Sequence, residues 1–136
     1  MKSKVQYLNP ADLHKNPAYS QVAVVQGNVR TVYVGGQNAV NQSGEIVGAN
    51  DMARQAEQVF RNLDMALTSA GAKLEHIIKW NVYVVAGQAA QPAFEVFQRV
   101  WDGLSDPPLI SMLFVAGLAN PDFLLEIDAI AVVPED

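Results

Sequence analysis

The ten residues Leu124-Leu125-Glu126-Ile127-Asp128-Ala129-Ile130-Ala131-Val132-Val133 read as a strand with one wholly apolar face. Successive side chains of a strand point to opposite sides, so Leu125, Ile127, Ala129, Ala131 and Val133 share a face without a polar group. Such a face belongs against a hydrophobic core. The opposite face sets Glu126 and Asp128 among Leu124, Ile130 and Val132. A carboxylate left unpaired among aliphatic groups is costly, so these two acids need a partner or a ligand. One short tract therefore says where the core lies and where function should be sought.

The remaining elements follow from periodicity. Lys4 to Leu8 is a short strand, and an arm containing Pro and Asn runs from Asn9 to Ala18. Gln21 to Gln26 and Arg30 to Gln37 read as a hairpin around Gly27-Asn28. Gly35-Gly36 at the end of the second strand lets the backbone come close to another group. Met52, Ala56, Val59, Phe60, Leu63, Ala66, Leu67 and Ala70 make an apolar stripe at helical spacing. Asn50 or Asp51 caps that helix, and Gly71 stands where a left-handed residue ends it. Ile77 to Val85 is a strand, and Gln91 to Leu104 is a second helix with Pro92 in its first turn. Leu109 to Ala116 and Leu124 to Val133 are the last strands, joined by a loop from Gly117 to Phe123.

The order β-β-β-α-β-α-β-β predicts one α+β domain spanning residues 1–136, without repeats or linkers. Two helices cover only one face of such a sheet. Yet Leu109, Leu113 and Val115 on one side and Ile110, Met112, Phe114 and Ala116 on the other leave the final strands apolar on both faces. An uncovered apolar sheet face predicts burial in a homo-oligomer.

A net charge of -5 among 136 residues offers no attraction to phosphate backbones or anionic membranes. The absence of cysteine removes disulfides, zinc thiolate sites and cysteine nucleophiles. His14 and His76 lack metal-ligand spacing, Ser111 lacks a nucleophile-elbow sequence, and Gly35-Gly36 lacks a phosphate-loop lysine. No metal and no cofactor is expected, nor a nucleic-acid or membrane partner. With no apolar run of about 18 residues and no signal-like segment, the expectation is a cytoplasmic protein. Glu126 and Asp128 remain. Either they are bonded to backbone amides or an arginine within an interface, or Glu126 carries protons or positions water in a partly desolvated pocket.

Tyr19-Ser20-Gln21, Val34-Gly35-Gly36-Gln37, the Gly44 turn, Gln55, Asn62-Leu63, Ala70-Gly71, Ile78-Lys79, Pro108-x-x-Ser111 and Glu126-Ile127-x-Ala129-Ile130-Ala131 occur in an order that resembles the RidA/YjgF (reactive-intermediate imine deaminase) family. The resemblance covers nearly the whole chain. It implies a chorismate-mutase-like domain with a mixed sheet and two helices on one face. It also implies a homotrimer whose sheets face inward and whose clefts lie between subunits. Active members hydrolyse imines and enamines to ketoacids and ammonia without a metal or organic cofactor. Some members carry an endoribonuclease label, against which the acidic charge argues here.

Carried across by position, the family's N-terminal tyrosine falls on Tyr19, its strand-end glycine on Gly36 and its water-holding glutamate on Glu126. The substrate-gripping arginine of a Pro-Ala-Arg-Ser stretch is replaced in Pro108-Leu109-Ile110-Ser111 by Ile110. An aliphatic side chain cannot make the bidentate contact that fixes a carboxylate. An asparagine early in the second helix is also missing, with Ala93 or Phe94 in its region. The resemblance thus implies a small-molecule binder with Tyr19, Gly36, Ile110 and Ser111 lining the pocket and Glu126 assisting water. The alternatives are an active imine deaminase in which Arg30, Lys79 or Arg99 replaces the arginine, and a non-enzymatic interaction protein.

Overall fold

A computed structural model describes residues 2–104 and 106–136. In chain order the elements are β1 (Lys4–Leu8), β2 (Val22–Gln26), β3 (Val29–Gln37), α1 (Met52–Ser69), β4 (Ile77–Val85), α2 (Gln91–Trp101), β5 (Leu109–Val115) and β6 (Leu125–Pro134). A single 3-10 turn, Leu74–His76, leads into β4. Four strands form a mixed sheet in the order β3-β6-β4-β5, with β5 parallel to β4 and the other pairs antiparallel. β1 and β2 pair with each other in a separate two-stranded sheet.

The strand rich in aliphatic residues divides its faces as its alternation requires. Leu125, Ile127, Ala129 and Ala131 are all buried in one cluster with Trp80, Val84 and the apolar stripes of both helices. Glu126, Asp128 and Ile130 point the other way and are only partly covered, while Val132 beyond them is buried. Both helices therefore lie on one face of the sheet, and the acids face the uncovered side.

Helix α1 begins and ends for identifiable reasons. The Asp51 carboxylate accepts from the Arg54 amide at 3.1 Å, satisfying a donor the helix leaves unpaired. At the other end Gly71 adopts φ 72°, the Gly71 amide donates to Thr68 and the Ala72 amide donates to Leu67. This is a Schellman closure, which needs the left-handed residue that glycine supplies at least cost.

Two expectations need correction. Gly27-Asn28 does not close a hairpin between β2 and β3. β2 pairs along its length with β1, while β3 pairs with β6. The chain ends explain this choice. Ser3 lies against Gly27 and bonds Asp136, while the Glu135 amide donates to Asn28 and Arg30 pairs with Glu135, drawing the start of β3 onto the end of β6. The second helix ends at Trp101 rather than Leu104, because Asp102 leaves helical geometry and Gly103 turns with φ 78°.

Candidate functional site

The uncovered sheet face carries a polar row. In register, Ser111 of β5 stands beside Asn81 of β4, which stands beside Asp128 of β6. The next row runs Leu113, Tyr83, Glu126. Asp128 accepts from Asn81 Nδ2 at 2.8 Å and from the Tyr83 hydroxyl at 3.3 Å. The charge of Asp128 is the main cause of a raised Tyr83 pKa, with desolvation, the hydrogen bond and Glu126 adding to it. Within the chain, one of the two acids is thus held by neutral side chains of the neighbouring strand. Asn81 and Tyr83 were missed in the sequence. Their signal was there, since Lys79, Asn81 and Tyr83 put a polar group at every second position of an otherwise apolar strand.

Glu126 is placed by a different contact. β3 slips register against β6 between Val34 and Gln37, and this irregularity brings the Gly36 backbone over the carboxylate. A Cβ built on Gly36 would lie 2.4 Å from Glu126 Oε2. Gly35 has open space at the same position, so the close approach belongs to Gly36 alone. The start of β6 is fixed from below by Gln55 of α1. Its amide donates to Gly48 and Asp122 carbonyls, and its oxygen accepts from the Leu124 amide at 2.9 Å. Asn62, about two turns further along the same face of α1, donates to the carbonyls of Asn38 and Val40 just beyond β3. Both side chains hold the two strand ends that meet at Gly36 and Glu126.

Tyr19 and Ile110 come together elsewhere, in a groove between the N-terminal arm, α2 and β5. Ser20 anchors the arm there by donating its hydroxyl to Pro107 at 2.7 Å and its amide to Pro108. His14 Nε2 lies 2.5 Å from the Tyr19 hydroxyl, fixing that ring from the arm side. Ile110 pairs with Trp80, on the helix side of the sheet, whereas Ser111 points to the acid side. Within one chain the five expected site residues therefore form separate groups: Gly36 with Glu126, Ser111 on the polar row, and Tyr19 with Ile110.

The second helix contributes a residue that was not singled out. Gln91, at its first position, is the one residue with a side-chain oxygen among those lining an apolar cavity that Ile110 and Met112 also line. Ala93 and Phe94 line the same cavity and supply only hydrocarbon. Of the cations considered as replacements, Arg30 pairs with Glu135 and the Gly71 carbonyl, and Arg99 pairs with Glu57 at 3.2 Å. Lys79 shares the acid face but sits two rows from Glu126, about 13 Å along the strand at ordinary strand rise. Among the described residues neither Glu126 nor Asp128 has an ion-pair partner. No helix among the described residues is long and apolar enough to cross a membrane.

Comparison with known proteins adds a consistent frame. A sequence model of the endoribonuclease L-PSP family matches residues 11–133. The chain is 30% identical to a 2-iminobutanoate/2-iminopropanoate deaminase of Rattus norvegicus over 115 residues, covering 85% of this chain and 80% of that protein. Among solved structures, the Rid-family protein YyfB of Yersinia pestis, described as of unknown function, superposes with a TM-score of 0.83 at 32% identity. That match covers 93% of this chain and 97% of YyfB. TdcF of E. coli, solved with bound serine, matches with a TM-score of 0.68 at 32% identity, over 77% of this chain and 81% of TdcF.

Proposed function

This chain belongs to the endoribonuclease L-PSP family, also called YjgF/RidA, and from that footing we propose that it binds a small uncharged or weakly acidic metabolite in clefts between the subunits of a homotrimer. Glu126 holds a water molecule there and assists its attack on an imine or enamine. The observation that carries this reading is the approach of Gly36 to Glu126, a carboxylate with a backbone wall against it and no ion-pair partner among the described residues. A carboxylate so placed accepts a hydrogen bond from water and can take its proton.

Division of the site residues among separate regions of one chain suits a cleft completed by a second copy. One copy offers Gly36 and Glu126, and its neighbour offers Tyr19 and Ile110. Ile110 in place of a substrate-gripping arginine turns the preference away from carboxylates. Loss of such a charge-assisted contact costs about 2–5 kcal/mol, which is roughly 30-fold to several-thousand-fold in affinity.

The test is turnover of 2-aminoacrylate, released in situ by a dehydratase, beside turnover of a neutral imine that lacks the carboxylate. The expected result is slow hydrolysis of 2-aminoacrylate and faster hydrolysis of the neutral imine, the latter lost in Glu126→Gln. Hydrolysis of 2-aminoacrylate at the rate of an arginine-containing relative would overturn the proposal. It would favour the second reading, an active 2-imino acid deaminase, for which the likeness to the rat deaminase speaks. Equal turnover by the wild type and Glu126→Gln would favour an interaction protein without hydrolytic function.

A further inference from the structure

The helix side of the sheet holds a cavity of about 190 Å3 between α2 and strands β4 and β5. Its origin is legible in side-chain size. Where the start of α2 faces the sheet, the residues are Ala90 and Ala93, and the space a larger side chain would fill stays open. Trp80 and Phe97 wall the interior, with ring centroids 5.0 Å apart and planes at 70°. Phe60 meets Trp80 edge to face at 5.7 Å. A dry apolar cavity of about 150 Å3 suffices to take up benzene, so this one has room for a six-membered ring with a small substituent. Rings set edge to face favour a further ring in the same arrangement.

The lining also decides what is refused. Among the described residues no cation lines the cavity, and a carboxylate placed there would lose its hydration without compensation. The polar groups of the lining residues are the Trp80 indole N–H, a donor, and the Gln91 carboxamide, whose amide donates to Glu95 at 3.5 Å and whose oxygen can accept. The cavity shares Phe94, Phe97, Ile110 and Met112 with the groove that Tyr19 lines, so the two adjoin.

We infer that this cavity is the specificity pocket of the chain, taking a benzene-sized neutral group with a single hydrogen-bonding substituent that meets Gln91. The inference rests on the reading above in one respect, that Ile110 lines the ligand cleft. It says nothing of hydrolysis and needs no contribution from Glu126, which lies across the sheet.

Benzamide and benzoate, which differ in one group, make the test, followed by amide-resolved NMR of the full chain. The expected result is saturable shifts from benzamide at residues of α2 and β5, with benzoate at least about tenfold weaker. Ile110→Arg should reverse that order. Should this variant fail to fold, the comparison on the wild type alone still decides. Absence of saturable shifts, shifts centred elsewhere, or benzoate binding as well as benzamide would each overturn the inference. If benzamide does not bind while neutral imine hydrolysis depends on Glu126, the pocket inference falls and the proposed function stands. If benzamide binds in the cavity and Glu126→Gln hydrolyses as the wild type does, the reverse holds.

Discussion

At the scale of single residues, the most informative contact is between Gly36 and Glu126. The backbone at Gly36 is not in the left-handed region, so a side chain there meets no conformational strain. What it meets is the far end of Glu126, a flexible group able to swing aside. Gly36→Ala therefore separates placement from folding. The expected cost in stability is below about 1 kcal/mol, because only a surface-accessible side chain must move. Hydrolysis of a neutral imine should fall by roughly tenfold or more, since a shift of about 1 Å in a positioned base is expensive. Urea unfolding and kcat/KM on the same preparation check both halves. Wild-type kinetics in this variant would mean that the position of Glu126 is immaterial. The close approach was legible in the sequence as a paired glycine at a strand end. The strand pattern alone does not say which of the two glycines makes it, because that depends on the register slip after Val34, and it is the family resemblance that singles out Gly36.

Among the elements, strand and helix positions were readable wherever the side chains alternate or repeat cleanly, as in β6 and α1. The pairing of β2 was not. Gly27-Asn28 carries the local chemistry of a hairpin, but the competing contacts come from Ser3, Glu135 and Asp136 at the two ends of the chain. No window of neighbouring residues contains that information. A similar long-range link ties α1 to the site. Gln55 has no exposed surface and joins Gly48, Asp122 and Leu124 through three hydrogen bonds. Gln55→Ala leaves buried backbone groups unpaired at the start of β6, which should cost about 2–4 kcal/mol. Chemical denaturation measures that loss. Hydrogen exchange should show faster exchange at Leu124 and its neighbours than at the β4–β5 pair. Uniformly faster exchange would mean that Gln55 supports the whole core and not the start of β6.

For the whole molecule, the uncovered face explains why the site was only half visible in the sequence. Alternation within β6 located the acids, and the cross-strand register then supplied Asn81 and Tyr83. The same alternation puts Ile110 and Ser111 on opposite sides of the sheet, so one chain cannot bring all five residues around one ligand. Under the proposed reading a second copy completes the site, and the edge strand β5 is the surface proposed for that contact. Met112, Leu113 and Phe114 are 51%, 48% and 58% exposed, consecutive large apolar residues on a strand whose outer edge has no partner among the described residues. A row of unpaired backbone groups flanked by such side chains is ordinarily covered. If the proposed homotrimer forms, sedimentation should give a species three times the 14.8 kDa mass of the chain. Leu113→Lys should shift it toward the monomer, because association would desolvate an unpaired ammonium group. Hydrolysis should fall with the trimer fraction in that variant, and benzamide should still find the cavity on the other side of the sheet. A wild-type chain that sediments as a monomer while hydrolysing a neutral imine would remove the need for a shared cleft. The separation of Ile110 from Glu126 would then count against their common site.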